Sequence, residues 1–440
     1  MSNQNYVNVR KVSFGIVTSV VEDGVFLNDA LNNTLVKYQY LDKQKRGYIT
    51  YLCTGVIERL IEMDAVISSY SSTKINKLNP NIKNILRMAI FEIKYMDSVP
   101  ESATVNEYVK LSGKVAPTRL KGFVNGMLRT MIRDDFAKVN LKPYEEYSMP
   151  RWLYERLDLE FGNANAISEA FLDNRGLTIR TNLTKCTPDE LRDILNKEGI
   201  KVTSIDLIDY AFSVKGIDYL EKLDSFKKGL FYVQDVSSMM VGVMSKVTAN
   251  DTVIDVCAAP GGKSLHIAEL MKLAAQGTVS DTKSDADMGK VMAYDISEDK
   301  VRLIRDNIRR SGLDNVTAKV GDALINNNDL NKKADIVIAD LPCSGIGVIG
   351  KKPDIKIRIK NEDIDNLAAL QFEILQNVKE YVKPGGKMLY STCTVSKSEN
   401  ELNTRRFLEA NPGFTLKEEK QYMPTATQDG FYIAVLKREA

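Results

Sequence analysis

Histidine occurs once in the 440 residues, at His266, and tryptophan once. A single histidine excludes every mechanism that needs two imidazoles, and leaves thiols, carboxylates and lysines as the candidate chemistry. Cysteine is scarce and odd in number: five residues, Cys53, Cys186, Cys257, Cys343 and Cys393, with no CxxC pair and no Cys/His cluster. Such a set argues against a disulfide framework and against zinc, so no metal is expected. No run approaches the roughly 18 apolar residues of a membrane span, and the opening "MSNQNYVNVRK" lacks the apolar core of a signal peptide. A cytoplasmic protein without membrane association is expected. A net field is missing too. With 60 basic side chains against 58 acidic ones, nucleic acid could be engaged only through local patches.

What is present fits a globular chain of about three domains. In residues 1–140, Val9, Val12, Ile16, Val17 and Val20 recur at helical spacing, as do Ile49, Leu52, Val56, Ile57, Leu60 and Ile61, then Ile82, Ile85, Leu86, Ala89 and Ile93. An all-helical domain is predicted. Its last part, "KLSGKVAPTRLKGFVNGMLRTMIR", carries Lys110, Lys114, Arg119, Lys121, Arg129 and Arg133 and no acid. A solvated helical face and a phosphate-binding face both account for that run. Residues 141–230 form a smaller α+β region. "LTIRTNL" alternates as a strand, Thr187-Pro188-Asp189-Glu190 opens a helix, and "KVTSIDLI" returns as a strand. Such a unit presents a sheet to RNA or merely bridges its neighbours.

Residues 231–440 alternate short apolar strands with amphipathic helices, which predicts an α/β, Rossmann-like, doubly wound and mostly parallel sheet. The predicted strands are "TVIDVC", "KVMAYDI", "VTAKVGDA", "ADIVIADLP", "GKMLYSTC" and "FYIAVLKR". "AAQGTVSDTKSDADMGK" between the first two reads as an exposed insertion without function. "DVCAAPGGKSLHIAEL" joins a strand end to a glycine turn and a helix beginning near Lys263, a geometry that lets a ligand approach backbone amides. Asp295, Asp322 and Asp340 close the next strands. One such acid could be a helix N-cap; three in register point to a nucleoside ligand.

"VQDVSSMM", "DVCAAPGGKSLHIAEL", "DLPCSGIGVIGKKPDIK", "LQFEIL" and "YSTCTVSKSENE" resemble the successive motifs of the RNA cytosine-5 methyltransferases, and "KGFVNGMLR" resembles the closing helix of NusB-like RNA-binding domains. Together they resemble the Sun/RsmB branch, which modifies bacterial small-subunit ribosomal RNA. The resemblance spans essentially the whole chain. It implies S-adenosylmethionine as cofactor, held by Cys257, Ala258, Ala259, Pro260, Gly261, Gly262 and Lys263, with Asp295 on the ribose, Asp322 near the adenine and Asp340 near the reacting centre. It implies a cytosine of 16S ribosomal RNA as substrate, position 967 by analogy, modified before subunit assembly by a monomer.

Methylating carbon 5 of cytosine requires a nucleophile on carbon 6 first, and a thiolate both attacks and leaves well. Cys343 and Cys393 each lie just past a strand end, and in the usual strand order of such enzymes those strands are neighbours. The resemblance assigns attack to Cys393 and product release to Cys343. A DNA cytosine-5 methyltransferase uses the "PC" thiol instead, and the residues alone leave that exchange open. Ser396 and Glu399 fit a capping box that would start a helix beside Cys393 and lower its pKa. Asp340 could hold the cytosine edge, oriented by Lys263; alternatively it only caps its turn. Cys257 is expected to contribute backbone alone, and His266 to be packed or at the surface. Lys351 and Lys352 are candidate phosphate contacts, though solvation also accounts for them. Other readings are the same chemistry on another ribosomal or transfer RNA cytosine, an inactive RNA-binding assembly factor, and a nicotinamide-dependent dehydrogenase. The intact thiols and acids disfavour the second, and the missing GxGxxG the third.

Overall fold

A computed structural model of the protein describes residues 7–173, 176–277 and 289–440. They form two compact units: residues up to Leu172 together with Ile349–Arg358, and Asp173–Val348 with Ile359–Ala440.

The first unit is helical. Its main helices are Val9–Val21, Leu27–Lys37, Lys43–Glu58, Leu60–Tyr70, Pro80–Tyr95, Glu101–Val115 and Lys121–Arg133, followed by Arg151–Phe161 and Ala164–Leu172. Asn8, Asp42 and Asn79 each accept a bond from a first-turn amide, which fixes where three of these helices begin. The predicted apolar stripes form the core: Val17, Ile49, Leu52, Val56, Ile57, Ile85, Leu86 and Ala89 are all fully buried. Charged side chains are buried with it, and Glu92 is the most completely enclosed of them. The buried Glu92 carboxylate is held by the Arg10 guanidinium and by the hydroxyls of Tyr48, Thr104 (2.7 Å) and Tyr108 (3.0 Å), the complete pairing that a buried charge requires.

The segment Ile349–Arg358 leaves the catalytic-type sequence six residues after Cys343 and packs with the helices instead. Asp354 Oδ2 accepts from Leu27 N at 3.2 Å, capping a helix whose own N-cap residue, Phe26, has no capping oxygen. Arg358 donates to the carbonyls of Gly24 (2.7 Å) and Val25, and Ile357 packs on the helical core. Lys356 is buried and donates to the Glu58 carbonyl, and burial pushes its ammonium down to about 7.

The second unit contains two sheets. Strands β1 (Leu177–Thr181), β2 (Lys201–Ser204), β3 (Ala211–Lys215) and β4 (Phe231–Val233) pair antiparallel in the order β2-β3-β1-β4. Thr187 and Glu190 close the predicted capping box of helix Pro188–Lys197. The two predicted strands of this region are not neighbours, because β3 lies between them. The large sheet runs β10-β11-β9-β8-β5-β6-β7, with β5 (Thr252–Asp255), β6 (Lys290–Asp295), β7 (Val316–Val320), β8 (Ala334–Asp340), β9 (Val382–Thr392), β10 (Phe414–Tyr422) and β11 (Phe431–Arg438). Pairings from β7 to β9 are parallel, and β11 and β10 add antiparallel. This is the predicted Rossmann-like sheet with one strand more. Strand β10, "FTLKEEKQY", has an exposed centre and no apolar alternation to announce it.

The apolar runs of β5 and β8 are fully buried at Val253, Ile254, Val337 and Ile338, as parallel strands covered on both faces must be. Arg180 of β1 is fully buried and forms an ion pair with Glu269 on helix Gly262–Gly277, while its Nε donates to Gln234 Oε1 at 2.8 Å. Removing either partner of such a pair costs about 3–5 kcal/mol, so it ties the small sheet firmly to the helix that follows the glycine turn. Of the predicted insertion, Ala274–Gly277 finish that helix; residues 278–288 lie outside the described part of the chain.

Candidate active site

Parallel pairing brings the carboxyl ends of β5, β6, β7, β8 and β9 to one edge of the sheet. All the predicted acids and both candidate thiols of the second unit lie at that edge. In the β8–β9 register Asp340 is opposite Ser391, and Ser391 Oγ donates to Asp340 Oδ1 at 2.7 Å. Three residues on from Asp340 and two on from Ser391 stand Cys343 and Cys393, and their sulfurs are 3.2 Å apart. Both are free and half-buried. The turns that carry them touch through backbone: Gly347 N donates to the Cys393 carbonyl at 3.1 Å. A Cβ on Gly347 would lie 2.0 Å from the Gly430 carbonyl oxygen, so only glycine allows this approach.

Lys263 reaches across to the same place. Its Nζ is 2.6 Å from Asp340 Oδ2 and 5.2 Å from the centre of the Phe431 ring. Burial works against its charge, but the Asp340 carboxylate more than offsets this and holds the ammonium above its ordinary value. The ammonium also interacts with Cys393. Asp340 therefore does not merely cap its turn: both of its oxygens are taken by Lys263 and Ser391. The Cys343 thiol is pushed well up, first by its hydrogen bond with Cys393, then by burial and by the charges of Cys393 and Glu399.

The predicted capping box beside Cys393 is absent. Helix Glu401–Ala410 begins one turn later with Asn400 at its N-cap, and Ser396 Oγ has no hydrogen-bond partner among the described residues. Glu399 instead turns inward and binds the other thiol turn, accepting from Ser344 N at 2.8 Å and from Ser344 Oγ at 2.5 Å. The cation that interacts with Cys393 is Lys263, 130 positions away in sequence.

At the glycine turn, Ala258 N donates to the Tyr294 carbonyl (2.8 Å) and Ala259 N to Asp295 Oδ2 (3.0 Å), so β6 holds the loop that follows β5. Gly261 has φ +105°, a conformation that glycine alone adopts without strain, and helix Gly262–Gly277 starts directly behind it. Asp295 is not a helix N-cap, since Ser297 caps helix Glu298–Ser311. Its Oδ2 takes the Ala259 amide, and its Oδ1 takes the Ile296 amide and pairs with the Lys300 ammonium at 3.2 Å, which leaves acceptor capacity chiefly on Oδ2 for a hydroxyl donor. Asp322 accepts from Leu324 N at 2.9 Å in its own turn. This set of turn amides, helix N-terminus and rim carboxylates fits a nucleoside cofactor bearing a ribose. Cys257 packs partly buried against the core of the large sheet, and burial pushes its thiol far up. His266 is packed: its Nε2 is 3.1 Å from the Tyr210 hydroxyl, and burial drives its pKa well down.

Among the predicted RNA contacts, Lys114, Arg119, Arg129 and Arg133 are exposed. Lys110 pairs with Glu107 at 2.9 Å, just outside the acid-free run. Arg129 and Arg133 bond Asn125 and Thr130 of their own helix, and Lys121 lies against Gly113. Lys352 is exposed, and both it and Lys351 lie in the segment that packs with the helical unit.

Asp255, the last residue of β5, is fully buried, and desolvation pushes it up to about 7 although Ser264 Oγ donates to it at 2.6 Å. A carboxyl raised in the fold stabilises below its unfolded value near 4, and that contribution is lost as pH rises through about 7. The melting temperature of Asp255→Asn relative to the unsubstituted protein is therefore expected to increase between pH 5 and pH 8, followed by thermal denaturation. A difference independent of pH would contradict the assignment.

The 16S rRNA methyltransferase RsmB/F family model matches residues 243–437, the NusB family model residues 7–133, and the model of the RsmF/B-like ferredoxin-like domain residues 149–217. The chain is 31% identical to a probable ribosomal RNA small subunit methyltransferase B of Bacillus subtilis, over 92% of this chain and 89% of that one. Among solved structures, PH0851 superimposes with a TM-score of 0.79 at 24% identity over 98% of both chains. NSun6 from Pyrococcus horikoshii, solved with SFG, gives a TM-score of 0.56 at 22% identity over 66% of this chain and 98% of that one. Taken with the glycine turn, the strand-end acids and the paired thiols, these likenesses place the chain in the RsmB/F family of S-adenosylmethionine-dependent methyltransferases.

Proposed function

We propose that the protein methylates carbon 5 of a cytosine in 16S ribosomal RNA, the position-967 reaction by family analogy, through a covalent adduct between Cys393 and carbon 6. The observation that carries this reading is the 3.2 Å approach of two free thiols in unequal electrostatic surroundings. S-adenosylmethionine, held by Cys257–Lys263 and Asp295 with Asp322 at the rim, supplies the methyl group. Cys393, beside the Lys263 ammonium, is the thiol favoured to ionise. As its sulfur bonds to carbon 6, the electrons of the 5,6 double bond move to carbon 5, which then takes the methyl. In this reading Asp340, bonded by Lys263 and Ser391 through one lone pair on each oxygen, accepts from the exocyclic amino group of the cytosine with a remaining one. A base removes the carbon-5 proton, the double bond re-forms, and the carbon–sulfur bond breaks. Cys343, held as a thiol beside Cys393, is suited to protonate the departing sulfur.

The proposed substrate is RNA before subunit assembly, recognised in part by the exposed cations of the helical unit, with Lys110, Lys114, Lys351 and Lys352 as further phosphate contacts. The enzyme is proposed to act as a cytoplasmic monomer without a metal. The reading against an inactive assembly factor rests on the thiol pair and on the Lys263–Asp340 bridge, neither of which RNA binding alone requires.

Cys393→Ala is expected to abolish methyl transfer while leaving RNA affinity within about twofold, whereas Cys343→Ala is expected to accumulate a covalent protein–RNA adduct on denaturing gels. The reverse pattern, with adduct from Cys393→Ala and inertness from Cys343→Ala, would exchange the two roles. Replacing Arg119, Lys121, Arg129 and Arg133 together by alanine is expected to weaken RNA binding and to reduce the slope of log affinity against log salt by up to about three. Unchanged affinity and slope would remove the helical unit from RNA recognition.

A further inference from the structure

The reaction asks two neighbouring thiols to do different things: one must ionise and attack, the other must keep its proton until the adduct breaks. Two sulfurs 3.2 Å apart in identical surroundings would share a proton without preference. Their surroundings are not identical. Lys263 stands on the Cys393 side, and on the Cys343 side stands Glu399, a carboxylate that no part of the reaction above uses.

Glu399 is fully buried and forms no salt bridge among the described residues. An ionised carboxylate without a counter-charge is costly inside a protein and persists only where hydrogen bonds hold it. Its donors come from two parts of the chain. Ser344, the residue after Cys343, gives both its amide and its hydroxyl. Gln371, from helix Asn361–Val378, gives Nε2 at 3.2 Å and with the same nitrogen binds the Pro342 carbonyl at 2.9 Å. Thr394, the residue after Cys393, joins the cluster through Ser344: with the Ser344 proton given to Glu399, the Thr394 hydroxyl donates to Ser344 Oγ at 2.8 Å. Tyr390 of β9 completes the cluster by donating to Gln371 Oε1 at 2.9 Å and to the Glu399 carbonyl. The residue after Cys343 is thus fastened to the carboxylate, and the residue after Cys393 is fastened to it through the Ser344 hydroxyl. The titratable groups around it are Cys343, Cys393 and Tyr390, with Asp340 and Lys263 beyond the sulfurs; none is a cation paired to it.

We propose that Glu399 is the positioning residue of the thiol pair: it fastens the two cysteine turns to each other, and its negative charge keeps Cys343 a thiol while Cys393 ionises. This rests on the reading that Cys393 attacks, and it adds what enforces the division of labour. Burial raises the carboxyl, and its hydrogen bonds from Ser344 and Gln371 oppose that rise. The direction of its effect on Cys343 is upward.

The two parts of the proposal separate by substitution. In a Cys393→Ser background, the pH dependence of Cys343 alkylation by iodoacetamide, followed on the Cys343 peptide by mass spectrometry, reads the thiol directly and needs neither RNA nor turnover. Adding Glu399→Gln, which keeps the shape and one acceptor but removes the charge, is expected to move the midpoint to lower pH and raise the rate below it about tenfold. An unmoved midpoint in a variant with native melting temperature would overturn the charge role. Ser344→Ala keeps the charge and cuts the tether. Its kcat for methyl transfer is expected to fall about tenfold or more with KM for RNA unchanged and no downward shift of the Cys343 midpoint. An unchanged kcat would overturn the tether, and this variant stands as the test if Glu399→Gln does not fold. Should Cys393→Ala retain methyl transfer, the attacking role fails, while the alkylation result still decides what Glu399 does to Cys343.

Discussion

The parallel pairing of β8 with β9 is the constraint on which the thiol site depends. Side chains of a strand alternate in direction, so a slip of one residue would turn Asp340 away from Ser391 and carry the two cysteine turns past each other. The register is held where the apolar residues of β8 and β9 are buried on both faces, from Ile336 to Ala339 and from Met388 to Tyr390. Backbone geometry thus brings together two thiols separated by 50 positions, and the close approach of Gly347 to the Cys393 carbonyl lets the turns touch.

Charge then distinguishes what geometry has paired. Lys263 arrives from the helix behind the glycine turn, so the segment proposed to hold the cofactor also supplies a cation that interacts with Cys393. Glu399 arrives from the turn after β9 and supplies the anion beside Cys343. In the proposed mechanism the site acts as a small dipole across a pair of sulfurs, with Asp340 at its positive end, and the proposed attack by one thiol and proton retention by the other rest on that asymmetry.

Much of this was legible in the residues. The apolar runs of β5, β6, β8 and β9 announce buried parallel strands, and the acids and thiols at their ends fall where ligands bind such sheets. The stripes of Ile, Leu and Val in the first unit mark its core correctly. What escaped did so for physical reasons. Strand β10 is an edge strand with its centre in water, so it carries no hydrophobic signal. Ser396 and Glu399 have the spacing of a capping box, and nothing local reveals that Glu399 finds better donors 55 positions away on Ser344. Nothing local in "PDIKIR" announces its partners, and only tertiary structure shows Asp354 capping a helix that begins at Leu27 and Lys356 buried against the Glu58 carbonyl. Each of these is a long-range partnership, which local spacing does not encode.

The central claim is that Cys393 carries the covalent bond to carbon 6. RNA in which the target cytidine is replaced by 5-fluorocytidine has no removable proton at carbon 5, so the adduct persists after methylation. Digestion of that adduct and tandem mass spectrometry of the cross-linked peptide identify the sulfur. The account predicts the peptide containing Cys393, with Cys343 recovered unmodified; a cross-link on Cys343 would contradict it.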